Sequence, residues 1–236
     1  MKIKLLARQE LAYETMGFVF GKPTGFEFKA GQSGDFTLLN PPETDAEGNT
    51  RAFSLCNPPY AKDLMIATRM RDTAFKRVLR SMPLGTELEF AGPFGSFTLH
   101  NKASRPAVFL TGGIGITPVR SMVLQAAKEK LAHKIFLFYG NKSPQEIAFF
   151  NELQDLEREN RNYTFIPTID KADSQGLWKG NIGFINETLV KKHVSLSENP
   201  IFYMCGPAPM VLAMRQLLNG IGVDDDDIRS EEFTGY

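Results

Sequence analysis

The chain has little of what builds covalent or metal frameworks: two cysteines and three histidines among 236 residues. Cys56 and Cys205 stand far apart in different halves, so no structural disulfide is expected, and two thiols cannot supply a four-thiolate iron–sulfur cluster. His100, His133 and His193 are scattered singly, without metal-ligand spacing, so no metal site is expected. An excess charge of either sign is also missing. Lys plus Arg and Asp plus Glu number 27 each, which leaves no global field to recruit nucleic acid or an anionic membrane. No apolar run approaches the roughly 20 residues that span a bilayer. The opening Met1–Leu6 carries two lysines but no signal-peptide h-region or cleavage site, so the expected address is cytoplasmic.

What is present is ordinary globular composition, 42% apolar and 23% charged, in a length that suits two domains. The expected division is 1–103 and 104–236, at the polar connector Asn101–Pro106. The first part reads as short alternating runs: Lys2–Leu6, Thr15–Phe20, Gly34–Leu39, Ala52–Leu55, Leu64–Met70, Glu87–Phe90 and Ser96–Leu99. Such runs, broken by glycine, proline and polar turns, predict an antiparallel β-barrel. One short helix, Thr73–Ser81, interrupts them, with Phe75, Val78 and Leu79 on one face.

Beyond the connector, strand-like and helical runs alternate. Strands are expected at Ala107–Leu110, Lys134–Tyr139, Tyr163–Ile169, Ile201–Met204 and Ile228–Phe233. Helices are expected at Pro118–Leu131, Pro144–Asn160, Ile185–Lys192 and Pro209–Asn219. This alternation predicts an α/β doubly wound parallel sheet, which binds ligands outside the carboxyl ends of its strands. Ser143–Glu146 reads as a capping box with proline at the first helical position. The run Asp224–Asp227 reads as a solvated loop, an anionic docking surface being the alternative.

The chain is organised around Phe109–Pro118, where a buried strand runs into three glycines, Gly112, Gly113 and Gly115, and then into a helix start. Thr117 suits the N-cap and Pro118 the first helical position. Backbone amides and the helix dipole can face an anion there; a plain strand-to-helix turn is the competing reading. Arg51-Ala52-Phe53-Ser54 puts a cation and an aromatic on one strand face with a hydroxyl beside them. That is either a surface pair or a phosphate clamp beside a platform for a flat ring. Gly92–Phe97 reads as a turn between two strands. Cys205-Gly206-Pro207 again joins a strand to a helix at the ligand edge. Its cysteine reads as a small apolar filler or a contact for a bound ring, not as a nucleophile.

Taken in order, RAFS, GPFGSF, TGGIGITP, YMCGPAPM and the C-terminal EEFTGY resemble the ferredoxin–NADP reductase superfamily over nearly the whole chain. The resemblance implies bound FAD, with Arg51 on its diphosphate, Phe53 stacked on the isoalloxazine, Ser54 near N5, and Ala52 and Thr68 alongside. Phe53 stands where many members have tyrosine, so stacking is kept and a phenol hydrogen bond lost. Phe75-Lys76-Arg77 matches the segment whose amides meet the diphosphate, with Lys76 in place of a common serine. Gly112, Gly113, Ile114, Gly115, Thr117 and Pro118 would hold the nicotinamide nucleotide together with Asn141, Lys142, Gly206, Pro207 and Met210. Cys205 would lie beside the hydride-donating carbon. Glu231 or Glu232 supplies the C-terminal acid, and Phe233, or else Tyr236, the aromatic that covers the flavin.

The implied reaction is hydride transfer from NADH or NADPH to FAD, then single-electron delivery. For the nucleotide the balance tilts to NADH: Lys142 and Lys171 are available, but Ile169 stands where plant-type members are basic, and Asp170 could hold a ribose. The expected acceptor is a separate redox protein, a ferredoxin or an oxygenase component, since the chain has no cluster ligands of its own. The alternatives are a flavin or ferric reductase for small molecules, and a scaffold that binds no flavin.

Overall fold

A computed structural model describes residues 1–171, 176 and 178–233. Tyr236, the alternative flavin cover, lies outside the described residues. Two six-stranded sheets dominate. The first is antiparallel and takes β1 (Lys2–Ala12), β2 (Thr15–Gly21), β3 (Ser33–Leu38), β4 (Thr50–Ser54), β5 (Asp63–Arg69) and β6 (Glu87–Phe94), in the order β4-β3-β6-β1-β2-β5. Its edge strands are drawn together just past β4, where the Cys56 amide donates to the Met65 carbonyl at 2.8 Å. Alternating inward residues such as Phe18, Phe20, Phe36, Leu64, Ile66, Leu88 and Phe90 fill the interior, and Phe36 and Phe90 lie 5.0 Å apart by ring centroids. Helix α1 (Ala74–Ser81) plugs one end with Phe75, Val78 and Leu79. The Thr73 side chain caps it by accepting from the Lys76 amide.

The second sheet is parallel throughout: β7 (Ala107–Gly112), β8 (Ile135–Asn141), β9 (Tyr163–Ile169), β10 (Asn181–Ile182), β11 (Ile201–Pro207) and β12 (Ile228–Phe233), ordered β10-β9-β8-β7-β11-β12. Helices α2 (Ile116–Lys128), α3 (Phe150–Glu159), α4 (Glu187–His193) and α5 (Ala208–Gly220) connect its strands. Burial on both faces explains the continuous apolar runs of β7 and β11. The chain leaves β7 toward β8 on one side and returns as β11 on the other. The strand order therefore reverses between β7 and β11, and a crevice opens at their carboxyl ends.

Several local expectations fail for identifiable reasons. Ser96–Leu99 is not a strand: β6 runs on through Phe94, and Phe97 leaves the barrel to pack in the core of the second sheet. Thr117 is not an N-cap. The glycines turn one step earlier as a 3-10 turn, Gly113–Gly115, so α2 starts at Ile116 and the Thr117 hydroxyl donates to the Ile114 carbonyl at 3.0 Å. Pro118 is accordingly buried inside the first turn instead of opening it. Ser143–Glu146 forms only a 3-10 turn, and the Ser143 hydroxyl meets the Glu146 carboxylate at 3.4 Å instead of a backbone amide. Burial of Ile147 and Ala148 breaks the run, and α3 begins at Phe150 after a left-handed Phe149. The aspartate run is not simply solvated, because Asp225 pairs with Arg215 and Asp227 with Arg105.

Candidate functional site

Two clefts meet where the sheets face one another. The first, about 520 Å³, lies against β4. Strand alternation brings Arg51 and Phe53 to it, with Ala52 and Ser54 on its wall; Thr68 comes from the end of β5 and Lys76 from the first turn of α1. The second sheet supplies Ile114 and Thr117 of the glycine turn and Glu231, Glu232 and Phe233 of β12. Eleven residues singled out from the sequence thus line one cavity.

Its floor is cationic. Lys76 is held down to about 8, by burial first and then by the Arg71 and Arg51 charges. Arg51 donates to the Glu47, Gly48 and Thr50 carbonyls at 2.8–2.9 Å and pairs with Glu47 at 2.8 Å and Asp45 at 3.2 Å. Asp45 also accepts from the Ala74 amide, the first of α1, at 3.0 Å. A carboxylate of the chain therefore sits on both the arginine and the helix start, the two groups suited to a phosphate.

Each wall carries one buried polar atom without a partner. Ser54 Oγ on β4 and Glu231 Oε2 on β12 make no hydrogen bond among the described residues. Burial raises the Glu231 carboxyl to about 7. In the parallel register Glu231 stands opposite Cys205, which stands opposite Thr111. The Cys205 side chain is itself fully buried in the core, and desolvation with the Glu231 charge pushes its thiol well above the usual range. A thiol so placed is not a nucleophile.

The second cleft, about 980 Å³, opens over the carboxyl ends of the parallel strands. Gly112, Gly113, Asn141, Lys142, Pro207 and Met210 line it, as expected from the sequence. Asn141 is buried there, with its side-chain amide beside the Tyr139 hydroxyl. Gly115 is not on the surface. A Cβ there would stand 2.2 Å from the Cys205 carbonyl oxygen, so its role is to let the two loops close on each other. Gly206 works in the same contact, its Cβ position lying 3.2 Å from the Gly112 carbonyl. Neither Gly113–Gly115 nor α2 has a side-chain cap; the Ile116 amide, the first of α2, donates instead to the Gly113 and Ile114 carbonyls of the turn.

Six expected contacts line neither cleft: Gly115, Pro118, Cys205, Gly206, Phe75 and Arg77. Phe75 is 1% exposed and supports the site from behind, packed on Phe53 at 5.8 Å and under Arg51 at 5.3 Å. Arg77 turns outward to Glu43 and Asp72. Sequence reasoning missed Arg69 and Arg71, which line both clefts, and Phe184 and Ile185 at the far end of the second. A basic pair straight after a buried strand and before a helix cap was the available signal.

Comparison with known proteins adds three findings. The oxidoreductase NAD-binding domain family matches residues 109–216. Among curated relatives, a component of the Na(+)-translocating NADH-quinone reductase of Pseudoalteromonas atlantica is 31% identical over 78% of this chain and 49% of that protein. The reductase component of a Pseudomonas phenol 2-monooxygenase is 27% identical over 86% and 57% respectively. The chain spans about half the length of the curated relatives it matches. In fold it is similar to a ferredoxin NADP+ reductase from Neisseria gonorrhoeae solved with FAD and NADP, with a TM-score of 0.82 at 22% identity over 98% of both chains.

Proposed function

We propose that this chain, whose residues 109–216 match the oxidoreductase NAD-binding domain family and whose fold is that of a ferredoxin NADP+ reductase, takes hydride from a nicotinamide dinucleotide and passes electrons singly to a separate redox partner. The observation that carries this reading is the junction of the two clefts at the glycine turn. Gly113 lines the dinucleotide groove while Ile114, the next residue, lines the cationic cleft. Two ligands seated in these clefts would meet at the carboxyl ends of β7 and β11, at the strand-order reversal.

The residues of the first cleft fit FAD. Arg51, Lys76 and the α1 start offer positive potential for a diphosphate, Phe53 offers an aromatic face, and the partnerless Ser54 hydroxyl awaits an acceptor or donor. Bound FAD would supply the two-electron to one-electron conversion that no side chain here can perform. The protein's part is placement. Arg51 holds anionic charge, Ser54 presents a hydroxyl, and Phe233 covers the open side and excludes water. Glu231, raised to about 7, holds a proton near neutral pH on the same wall. Cys205 sets the spacing between the glycine turn and Glu231 from within the core. We place the boundary between flavin and nucleotide domains at 103/104, within the connector.

The second cleft is assigned to the dinucleotide, with NADH preferred. Asp170 lines it at the end of β9, beside Lys142, where a carboxylate suits a ribose hydroxyl pair and repels a 2′-phosphate. Asp170→Asn should raise NADPH use relative to NADH about tenfold in kcat/KM, the equivalent of ~1.4 kcal/mol.

The governing experiment is the absorption spectrum of the purified protein with added FAD, followed by anaerobic NADH. Flavin that co-elutes with the protein and bleaches on NADH supports the reading; a colourless protein that never retains FAD overturns it. Saturable, salt-sensitive reduction of added ferredoxin-type proteins supports a protein acceptor. Turnover with free flavin or ferric complexes alone replaces that acceptor with small molecules.

A further inference from the structure

A buried cation that lines neither cleft joins the two halves. Arg120 on α2 is 8% exposed, and its guanidinium bonds to two other elements, α3 and the loop after β4. Nε and Nη2 fork onto the Glu152 carboxylate of α3 at 2.6 and 2.7 Å. Nη1 donates to the Cys56 carbonyl at 2.6 Å and to Asn57 Oδ1 at 3.0 Å, both on the barrel loop that follows β4. Its flat face rests on Phe149 at 4.5 Å, and the next residue, Ser121, donates to the Asn57 carbonyl at 2.9 Å.

The ends of this bridge are close to both proposed ligand contacts. Cys56 is two residues beyond Ser54, and Arg120 is five beyond Gly115 on the helix that starts in the glycine turn. Ile114 of that turn packs in the same small cluster as Cys56, Met65 and Ala67. An ion pair between a buried arginine and an exposed Glu152 carboxylate is a poor source of net stability, since desolvation of the arginine offsets an attraction weakened by solvent. What a bidentate fork does supply is direction, because a planar guanidinium meets a carboxylate and two further oxygens in one orientation.

We propose that Arg120 is a positioning residue, which fixes the distance and angle between the Ser54 strand and the glycine turn and so sets hydride transfer without touching either ligand. The inference rests on the assignment of FAD and dinucleotide to the two clefts. A displacement of about 1 Å between reacting groups is enough to cost on the order of a hundredfold in rate. Lysine has the charge but not the fork, so Arg120→Lys separates orientation from charge.

Two variants test this: Arg120→Lys, and Asn57→Ala with Ser121→Ala, which removes the Asn57 amide and Ser121 hydroxyl contacts and keeps the bond to the Cys56 carbonyl and the Arg120–Glu152 pair. Spin labels go on Lys62→Cys in the barrel and Asp155→Cys on α3, both exposed; the native cysteines are buried and will not take label. The wild-type background should give one narrow distance by pulsed electron resonance, and both variants a broadened or shifted one. Flavin reduction at saturating NADH should fall by roughly tenfold or more, while FAD affinity changes by less than about twofold. Unchanged distances and reduction rates in Arg120→Lys overturn the proposal, whatever happens to the double variant. A role in stability alone would lower the melting temperature and leave both readouts intact. If the unsubstituted protein retains no FAD, the assignment of the clefts fails first, and the distance measurement still decides whether Arg120 orients the halves.

Discussion

The two clefts differ in how much of their chemistry the chain has already answered. In the cationic cleft Arg51 is met by Asp45 and Glu47, and the first amide of α1 by Asp45, so these two anion-binding groups already hold carboxylates before any ligand arrives. The larger groove is lined chiefly by apolar side chains, Ile185, Met210, Met214 and Leu217 among them, with the glycine turn and buried Asn141 at its end. A ligand entering the first must displace carboxylates and is then held by several charged contacts. One entering the second displaces water from apolar surface and can leave again. That contrast is what a resident cofactor beside an exchanging substrate requires.

The sharpest way to break the contrast is Arg51→Ala. It removes the cation at the centre of the first cleft and should weaken FAD binding by roughly 2–3 kcal/mol, about 30- to 150-fold, with cofactor lost on gel filtration. Ser54→Ala, on the same strand, should keep the cofactor and chiefly slow flavin reduction by NADH. Titration of FAD fluorescence with stopped-flow reduction measures both. Equal flavin loss in the two variants would mean that the strand does not divide retention from transfer.

A smaller effect concerns pH. Glu231 is raised to about 7 by burial, against the usual value of about 4.3 for glutamate in an unfolded chain. Between those values the folded state binds the extra proton. This carboxyl therefore contributes stability that is fully present below pH ~4.3 and is lost as pH rises through 7. In flavin-free protein Glu231→Gln should flatten the fall in urea midpoint between pH 5 and pH 8. The stability recovered at pH 8 should be on the order of 1–3 kcal/mol, reduced by the partial exposure of the side chain. An unchanged slope would show that Glu231 reaches solvent.

The outline of both sheets was legible because it is written in short-range pattern: alternation in β3, continuous burial in β5, β7 and β11, glycine at the two sharp loops. The clefts were legible where a residue type has one use, as with Arg51 or the glycine turn. They were illegible where a side chain acts across the chain. Asp45 lies in a stretch that reads as a polar turn, yet it caps a helix 29 residues away. Arg120 sits among the apolar residues of α2, and nothing local shows that its partners are Glu152 and the loop after β4. The Thr117 and Ser143 caps failed for a related reason. Capping signatures report local preference, and here close packing of Gly115 against Cys205, and burial of Ile147 and Ala148, set the helix starts instead.

The mildest test acts on the carboxylate that stands in for a ligand. Asp45 has two roles that pull in opposite directions on flavin binding. As an anion on Arg51 it competes with a diphosphate; as an acceptor for the Ala74 amide it keeps α1 in place. The nearby amides and Arg51 hold its carboxyl below the usual range despite desolvation, so it is charged at neutral pH. Asp45→Asn removes the charge and retains an oxygen able to accept from Ala74, so competition falls while the cap persists. FAD should then bind about 3- to 10-fold more tightly, with little change in melting temperature. Asp45→Ala, which loses the cap as well, should give back most of that gain. Weaker binding in Asp45→Asn would mean that the carboxylate orders Arg51 for the cofactor instead of opposing it, and that the first cleft, like the second, is open before its ligand arrives.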